Sequence, residues 1–398
     1  MTTAGSGTGR GARARAAQRV QGTGVSVFTE MTELARSTGA VNLGQGVPEL
    51  DAPAALLRDV ADAVLAGANQ YPPAYGFPAL REAVAAHQQR RYGLAYAPQG
   101  EVLVTTGATE ALAASLLALC DPGDEVLAFD PCYDAYPAVA RFAGARLVPV
   151  PLAEDGERFV LDADALRGAV TARTRVLVLN TPHNPTGKVF TAAELETIAQ
   201  VCQEHDLVVV TDEVYEHLVY DGGEHRTIAA LPGMRERTIT VSSAGKTFNV
   251  TGWKVGWVCG PAPLIGAVAA AKQFLTYASG TPYQEALARA LGGVEAWAGE
   301  LRQTLRRNRD LLTEGLARAG LRPYRAEAGY FVQADIRAWG YTDGVQFCRE
   351  LPTRAGVVAI PTSAFQLRPG APAHWVRFSF CRHEKSVVEA VEKLVNAA

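Results

Sequence analysis

Between residues 101 and 243, short β-branched runs alternate with helical patterns, and that alternation restricts the folds open to the chain. The runs are EVLVTTG (101–107), DEVLAFD (124–130), ARLVPVPL (145–152), TRVLVLN (174–180), DLVVVTDEVY (206–215) and RTITVSS (237–243). They are apolar along most of their length rather than at every second position. Strands of that kind need cover on both faces, which a mostly parallel sheet with helices on each side provides. Helical patterns fill the gaps, as in ATEALAASLLALC after the first run. TAAELETIAQVCQEH (191–205) opens on Thr191 with Glu194 three positions on, the pattern of a capping box. The fold class is α/β.

The last hundred residues read differently. A long charged helix pattern (296–320) leads into isolated strands GYFVQADI (329–336) and HWVRFSFC (374–381). These predict a smaller α+β domain. The expected division is a flexible tail over 1–24, an N-terminal segment over 25–50 that joins the small domain, a large domain over 51–290 and the small domain over 291–398. The tail is rich in Gly, Ala and Arg, precedes the first acid of the chain, Glu30, and lacks the apolar segment of a secretory signal.

A net charge of −3 leaves no basic excess for nucleic acid. The longest apolar runs, such as ALAASLLALC (111–120), are too short to span a membrane. Six cysteines at 120, 132, 202, 259, 348 and 381 show no metal-ligand spacing. A reduced, cytoplasmic protein without a metal is expected.

The stretch SSAGKTFNVTGWKVGW (242–257) reads as loop, yet it places Lys246 and Lys254 among Gly, Ser, Thr and Trp with no acid nearby. Other polar residues stand at the C-terminal ends of the expected strands, the binding edge of an open α/β sheet. Asn180 leads into NTPHNPTGK, Asp212 is followed by Glu213 and Tyr215, and TTGATE (105–110) hands a strand over to a helix start. Taken singly, each has an ordinary reading: the Asp as a turn or cap, the lysine as a surface residue. Together they match one cofactor, pyridoxal 5′-phosphate. Its phosphate needs a nest of N–H groups and cations, its pyridine nitrogen a carboxylate, and its aldehyde a lysine amine.

On these residues the chain resembles the class I/II aminotransferases, fold type I of the pyridoxal-phosphate enzymes, whose large sheet is of a seven-stranded type. Within them it is similar to the branch of kynurenine/glutamine aminotransferases and actinobacterial N-succinyldiaminopimelate aminotransferases. The motifs are VNLGQGVP, NQYPPAYG, VLVTTGATEAL, DPCYDAY, NTPHNPTGKVF, TDEVYEHLVY, ERTITVSSAGKTFNVTGWKVGW, AIPTSAF and VRFSF. The resemblance implies that Lys246 is the Schiff-base lysine and proton shuttle, and that Asp212 partners the pyridine nitrogen. It implies that Tyr215 and Asn184 hydrogen-bond the ring hydroxyl, that Tyr133 stacks on the ring, and that Gly107, Ala108, Thr109, Ser243 and Lys254 cradle the phosphate. Arg377 and Gly46, with Asn184, would hold the substrate carboxylate, and Tyr71 would reach the phosphate across the interface of a homodimer. Without the family, Arg377 alternates with apolar neighbours and reads as a water-facing strand residue.

Substrate choice is less constrained. No arginine lies between Lys254 and Arg289, where relatives specific for dicarboxylates carry one, and Ser279 and Gly280 stand in the loop that narrows the kynurenine enzymes' pocket. The expected donors are N-succinyl-LL-diaminopimelate with glutamate, or a glutamine, methionine and aromatic (kynurenine) set, each with a 2-oxo acid acceptor. A β-lyase acting on cysteine conjugates and an aminotransferase of a specialised biosynthetic pathway are the alternatives.

Overall fold

The computed structural model describes residues 17–20 and 27–398, so the expected tail lies outside the described residues except for a single turn at Gln18–Val20. The six apolar runs form strands of one eight-stranded sheet. Its order is Val102–Thr105, Gly256–Cys259, Thr238–Ser243, Val208–Asp212, Thr174–Asn180, Glu125–Asp130, Arg146–Glu154 and Phe159–Leu161. The strands from Thr238–Ser243 to Arg146–Glu154 pair in parallel. Gly256–Cys259 runs antiparallel to both its neighbours, and Phe159–Leu161 is a short antiparallel edge. The sheet therefore has the expected mostly parallel character with one edge strand more than seven.

The run read as loop, 242–257, is ordered structure throughout much of its length. It holds a short helix (Ala244–Thr247), a turn at Thr251–Trp253 and the start of the strand Gly256–Cys259. That strand is only four residues long and fully buried, so it offers no periodicity to read.

Burial on both faces explains the unbroken apolar runs. Along Thr174–Asn180, Val176 and Val178 pack with Ala111 and Leu112 of the helix Gly107–Leu119. Leu177 and Leu179 face the other way, against Leu195 and Ile198 of Ala192–Glu204. The latter helix begins with the predicted capping box, Thr191 and Glu194 each satisfying the other's backbone N–H.

A second, four-stranded antiparallel sheet has the order Arg322–Pro323, Phe331–Asp335, Trp375–Ser379, Ile360–Pro361. It shares one core with the helices Val294–Arg318 and Glu384–Asn396 through Leu305, Leu312, Leu316, Val387 and Leu394. The segment Val41–Asn42 pairs in parallel with Val357–Val358, which ties the N-terminal helix Val27–Thr38 to this part of the chain. Among the described residues no helix is long and apolar enough to cross a membrane. All six cysteines are buried and unpaired.

Strand register sets the site. Asn180 pairs with Asp212, and Asp212 with Val241. Ser243 and Thr105 both oppose Gly256 from either side. Four chain segments distant in sequence thus end at one sheet edge.

Candidate active site

A cavity of about 390 Å³ opens at that edge, between the large sheet and the smaller one. Every residue expected from the sequence to hold the cofactor or the substrate carboxylate lines it except Tyr71.

At one end the helix Gly107–Leu119 points its N-terminus into the cavity, with Gly107 at φ 72°. Only glycine takes that turn without strain. Lys254 leans over the same turn: a Cβ placed on Gly107 would lie 3.2 Å from its Nζ. The Lys254 amine donates to Thr109 Oγ1 at 3.4 Å and forms no ion pair among the described residues. Gly256 keeps the cradle closed, because a Cβ there would come within 2.8 Å of the Gly107 carbonyl carbon and 3.0 Å of the Ala108 nitrogen. A helix N-terminus and an unpaired lysine, side by side, form an anion site without an anion of the protein's own.

Midway lies Asp212, only 4% exposed. Tyr136 donates its phenol to Asp212 Oδ2 at 2.8 Å, and the Val214 N–H reaches Oδ1 at 3.4 Å. Burial pushes the carboxyl up to about 6 despite these donors and the nearby Lys246. Asn180 fixes the local backbone. Its Nδ2 donates to the Asp212 carbonyl at 2.9 Å, and its Oδ1 accepts from the Asn184 N–H at 2.7 Å.

Lys246 sits on the one-turn helix Ala244–Thr247, whose start is capped by Ser243 Oγ accepting from Gly245 N–H. Its Nζ lies 5.7 Å from the Tyr215 ring centre and 5.5 Å from that of Tyr330. Enclosure by these rings lowers the amine below the ordinary lysine range, mainly by desolvation, and the charges of Arg377 and Lys254 lower it further. Such an amine is closer to its neutral, nucleophilic form. The Tyr133 ring lines the same wall; burial raises its phenol to about 12.

The far end belongs to Arg377. It is 2% exposed, so the water-facing reading fails: the strand Trp375–Ser379 is internal to its sheet and covered on both sides. Nη1 donates to Asn184 Oδ1 at 3.0 Å and Nη2 to the Gly44 carbonyl at 3.0 Å. The guanidinium carbon lies 3.8, 4.5 and 5.5 Å from the ring centres of Phe331, Phe365 and Phe28. Desolvation lowers it to about 10. Gly46 borders this end against the Phe331 ring.

Tyr71 does not line the cavity. It is 81% exposed and meets Tyr277 edge-on at 5.7 Å. Ser279 and Gly280 do not line the cavity either; Ser279 Oγ pairs with Thr106 Oγ1 at 2.9 Å. The sequence reading missed Tyr136, Asn180 as a brace, and the three phenylalanines around Arg377. Tyr136 follows Tyr133 by one helical turn, a signal that was present; the phenylalanines come from three distant segments and left none.

An anion cradle, a buried carboxylate, a desolvated amine and a buried guanidinium, in that order along one cavity, fit a phosphorylated pyridine aldehyde with an amino acid beyond it. Comparison with known proteins agrees. Residues 38–394 match the family model Aminotransferase class I and II. The chain is 51% identical over 377 residues to a Mycobacterium tuberculosis (strain H37Rv) protein named probable N-succinyldiaminopimelate aminotransferase DapC, across 93% of this chain and 95% of that one. It is 39% identical over 372 residues to the methionine aminotransferase of Escherichia coli (strain K12), across 93% and 95%. The solved structure of N-succinyldiaminopimelate aminotransferase from Mycobacterium tuberculosis superposes with a TM-score of 0.94 over 96% of this chain and 100% of that one, at 51% identity. The chain belongs to the class I and II aminotransferases, enzymes that use pyridoxal 5′-phosphate to move an amino group between an amino acid and a 2-oxo acid.

Proposed function

We propose that this aminotransferase exchanges the amino group of N-succinyl-LL-diaminopimelate with the glutamate/2-oxoglutarate pair. The observation that carries the choice is the likeness to the mycobacterial proteins of that name, which runs nearly end to end and exceeds that to the methionine enzyme.

Bound pyridoxal 5′-phosphate supplies an aldehyde to which amines add and a ring that accepts the electron pair of the substrate Cα–H bond. Arg377 holds the substrate α-carboxylate, with Asn184 and Gly46 beside it. Lys246 would hold the cofactor aldehyde through its Nζ, and its desolvated, neutral amine would be the base that moves the substrate Cα proton. Asp212 accepts the ring N–H, and Tyr215 and Asn184 serve the ring hydroxyl. Tyr133 stacks on the ring, while Gly107, Ala108, Thr109, Ser243 and Lys254 hold the phosphate. The two half-reactions share these residues, so the kinetics are ping-pong.

Tyr71, Phe274, Leu275 and Tyr277 are large exposed side chains in neighbouring segments, with Phe274 87% exposed. They support a homodimer in which Tyr71 reaches the partner's phosphate site. The pairing of Val41–Asn42 with Val357–Val358 supports the division in which 25–50 joins 291–398 and 51–290 forms the large domain. A cytoplasmic location accords with the unpaired cysteines.

A stopped-flow screen of amino donors, read by bleaching of the bound cofactor's absorbance, tests the substrate. Fastest bleaching by N-succinyl-LL-diaminopimelate is expected. Faster reaction with methionine, glutamine or kynurenine would replace that assignment, and pyruvate released from a cysteine conjugate without an acceptor would indicate a lyase.

A further inference from the structure

We propose that Tyr136 is a positioning residue for Asp212: its phenol fixes the carboxylate in one orientation and favours its anionic form. This rests on the reading of Asp212 as the partner of the cofactor's ring nitrogen.

The geometry is specific. Tyr136 lies in the first turn of the helix Ala135–Phe142, is 2% exposed, and donates to Asp212 Oδ2 at 2.8 Å across a gap of seventy-six residues in sequence. The other carboxylate oxygen has only the long 3.4 Å contact from the Val214 N–H. Tyr136 is therefore the strongest donor the carboxylate has, and a donor to a buried anion stabilises the charged form. The phenol is itself pushed well above the usual tyrosine range by burial, so it keeps its proton and stays a donor at every physiological pH. Its ring also meets Tyr133 edge-to-face, centres 5.7 Å apart at 86°. One side chain thus braces both the wall that would face the ring and the acid that would face its nitrogen.

The remaining ionisable groups around Asp212 do not replace this bond. Lys246 faces it from the helix Ala244–Thr247 and favours the anion, whereas Glu213, its chain neighbour, opposes it. Tyr133 and Tyr215 border it without donating to it, and Cys132 faces Tyr136. Phenylalanine at 136 would preserve nearly all the volume and the contact with Tyr133. A purely structural role would therefore leave Asp212 unaffected by the loss of one oxygen.

The test is titration of apoprotein with pyridoxal 5′-phosphate from about pH 5 to about pH 9, followed by cofactor absorbance, for wild type, Tyr136→Phe and Asp212→Asn. Wild-type binding should weaken as Asp212 protonates at acid pH. Tyr136→Phe should bind roughly tenfold more weakly at neutral pH, with the acid limb of the profile displaced upward by about one pH unit. Asp212→Asn should bind weakly with no acid limb. An unchanged affinity and profile in Tyr136→Phe beside a weakened Asp212→Asn overturns the role of Tyr136 alone. Unchanged binding by Asp212→Asn overturns the reading beneath it. Because 3-fluorotyrosine encoded at position 136 keeps the shape and strengthens the donor, it should move the acid limb downward. If Tyr136→Phe misfolds, an unmoved limb in the 3-fluorotyrosine protein refutes the role.

Discussion

Arg377→Lys tests the proposed grip on the substrate carboxylate apart from everything else at the site. In the protein, two of the five guanidinium N–H groups are spent on Asn184 Oδ1 and the Gly44 carbonyl, each at 3.0 Å, and these hold the fork's plane. Phe331 covers one face at 3.8 Å. A planar fork held this way can give a carboxylate two parallel charge-assisted bonds. Lysine keeps the charge but presents a single point donor, and Asn184 and Gly44 would compete for it. The loss is one charge-assisted bond, about 1.5–3 kcal/mol, and the stacking, about 0.5–1 kcal/mol. The sum, about 2–4 kcal/mol, corresponds to roughly a thirtyfold to thousandfold fall in kcat/KM. Single-turnover bleaching of the bound cofactor measures it, with an amino acid and with the matching amine that lacks a carboxylate. The amine should react equally with both proteins. An amino-acid rate within about threefold of wild type, or an equal loss on the amine, would refute the carboxylate role.

Lys246→Ala should lower turnover by roughly a thousandfold or more while the cofactor still binds; borohydride followed by peptide mass spectrometry should label Lys246 in wild type, and labelling elsewhere would refute the anchor. Asp212→Asn should stabilise the apoprotein. The folded carboxyl is raised to about 6 from the ordinary 3.8 of an aspartate, so the folded state binds the extra proton and stability falls as pH rises through that window. The deficit above it is about 3 kcal/mol. Urea unfolding at neutral pH should show the variant as the more stable apoprotein, and equal or lower stability would contradict the assignment. Phe274→Asp places a charge among the exposed residues near Tyr71 and should shift sedimentation toward monomer; an unchanged dimer would locate the interface elsewhere.

The large sheet was legible because two-sided burial writes itself as unbroken apolar runs, and the strand ends then placed Asp212, Asn180 and Ser243 at one edge. Gly256–Cys259 escaped because four buried residues containing glycine carry neither period nor length. The exposure of Arg377 was misjudged for a related reason. Alternation in Trp375–Ser379 suggests one wet face, but that face is covered by Phe28 and Phe365, from the N-terminal helix and from a turn at Thr362–Phe365. Nothing local to the strand announces cover that arrives from elsewhere in the chain. Tyr136 shows the opposite case: its one-turn spacing from Tyr133 was visible, but its partner seventy-six residues away was not.

Glu216 and Asp212 contrast a buried carboxylate that the fold satisfies with one that it does not. Glu216 is as buried as Asp212, yet His87, Tyr92 and Ser242 all hydrogen-bond it, and it is held well below the ordinary carboxylate range. The cluster of Glu216 with His87 and His217 has the composition of a metal site, but three of the carboxylate's roughly four lone-pair sites are engaged, both of those on Oε2 by His87 and Tyr92 and one on Oε1 by Ser242. Asp212, Lys246 and Arg377 behave the other way: desolvation pushes each away from its charged form and the surrounding protein does not make up the difference. A chain selected for stability alone would pair them with one another or replace them. Each deficit would find its complement in the roles proposed above: a protonated ring nitrogen for the acid, an aldehyde for the amine, a carboxylate for the guanidinium. The site thus holds charges that folding leaves unsatisfied, and binding of cofactor and substrate should stabilise the native state by what the fold alone withholds.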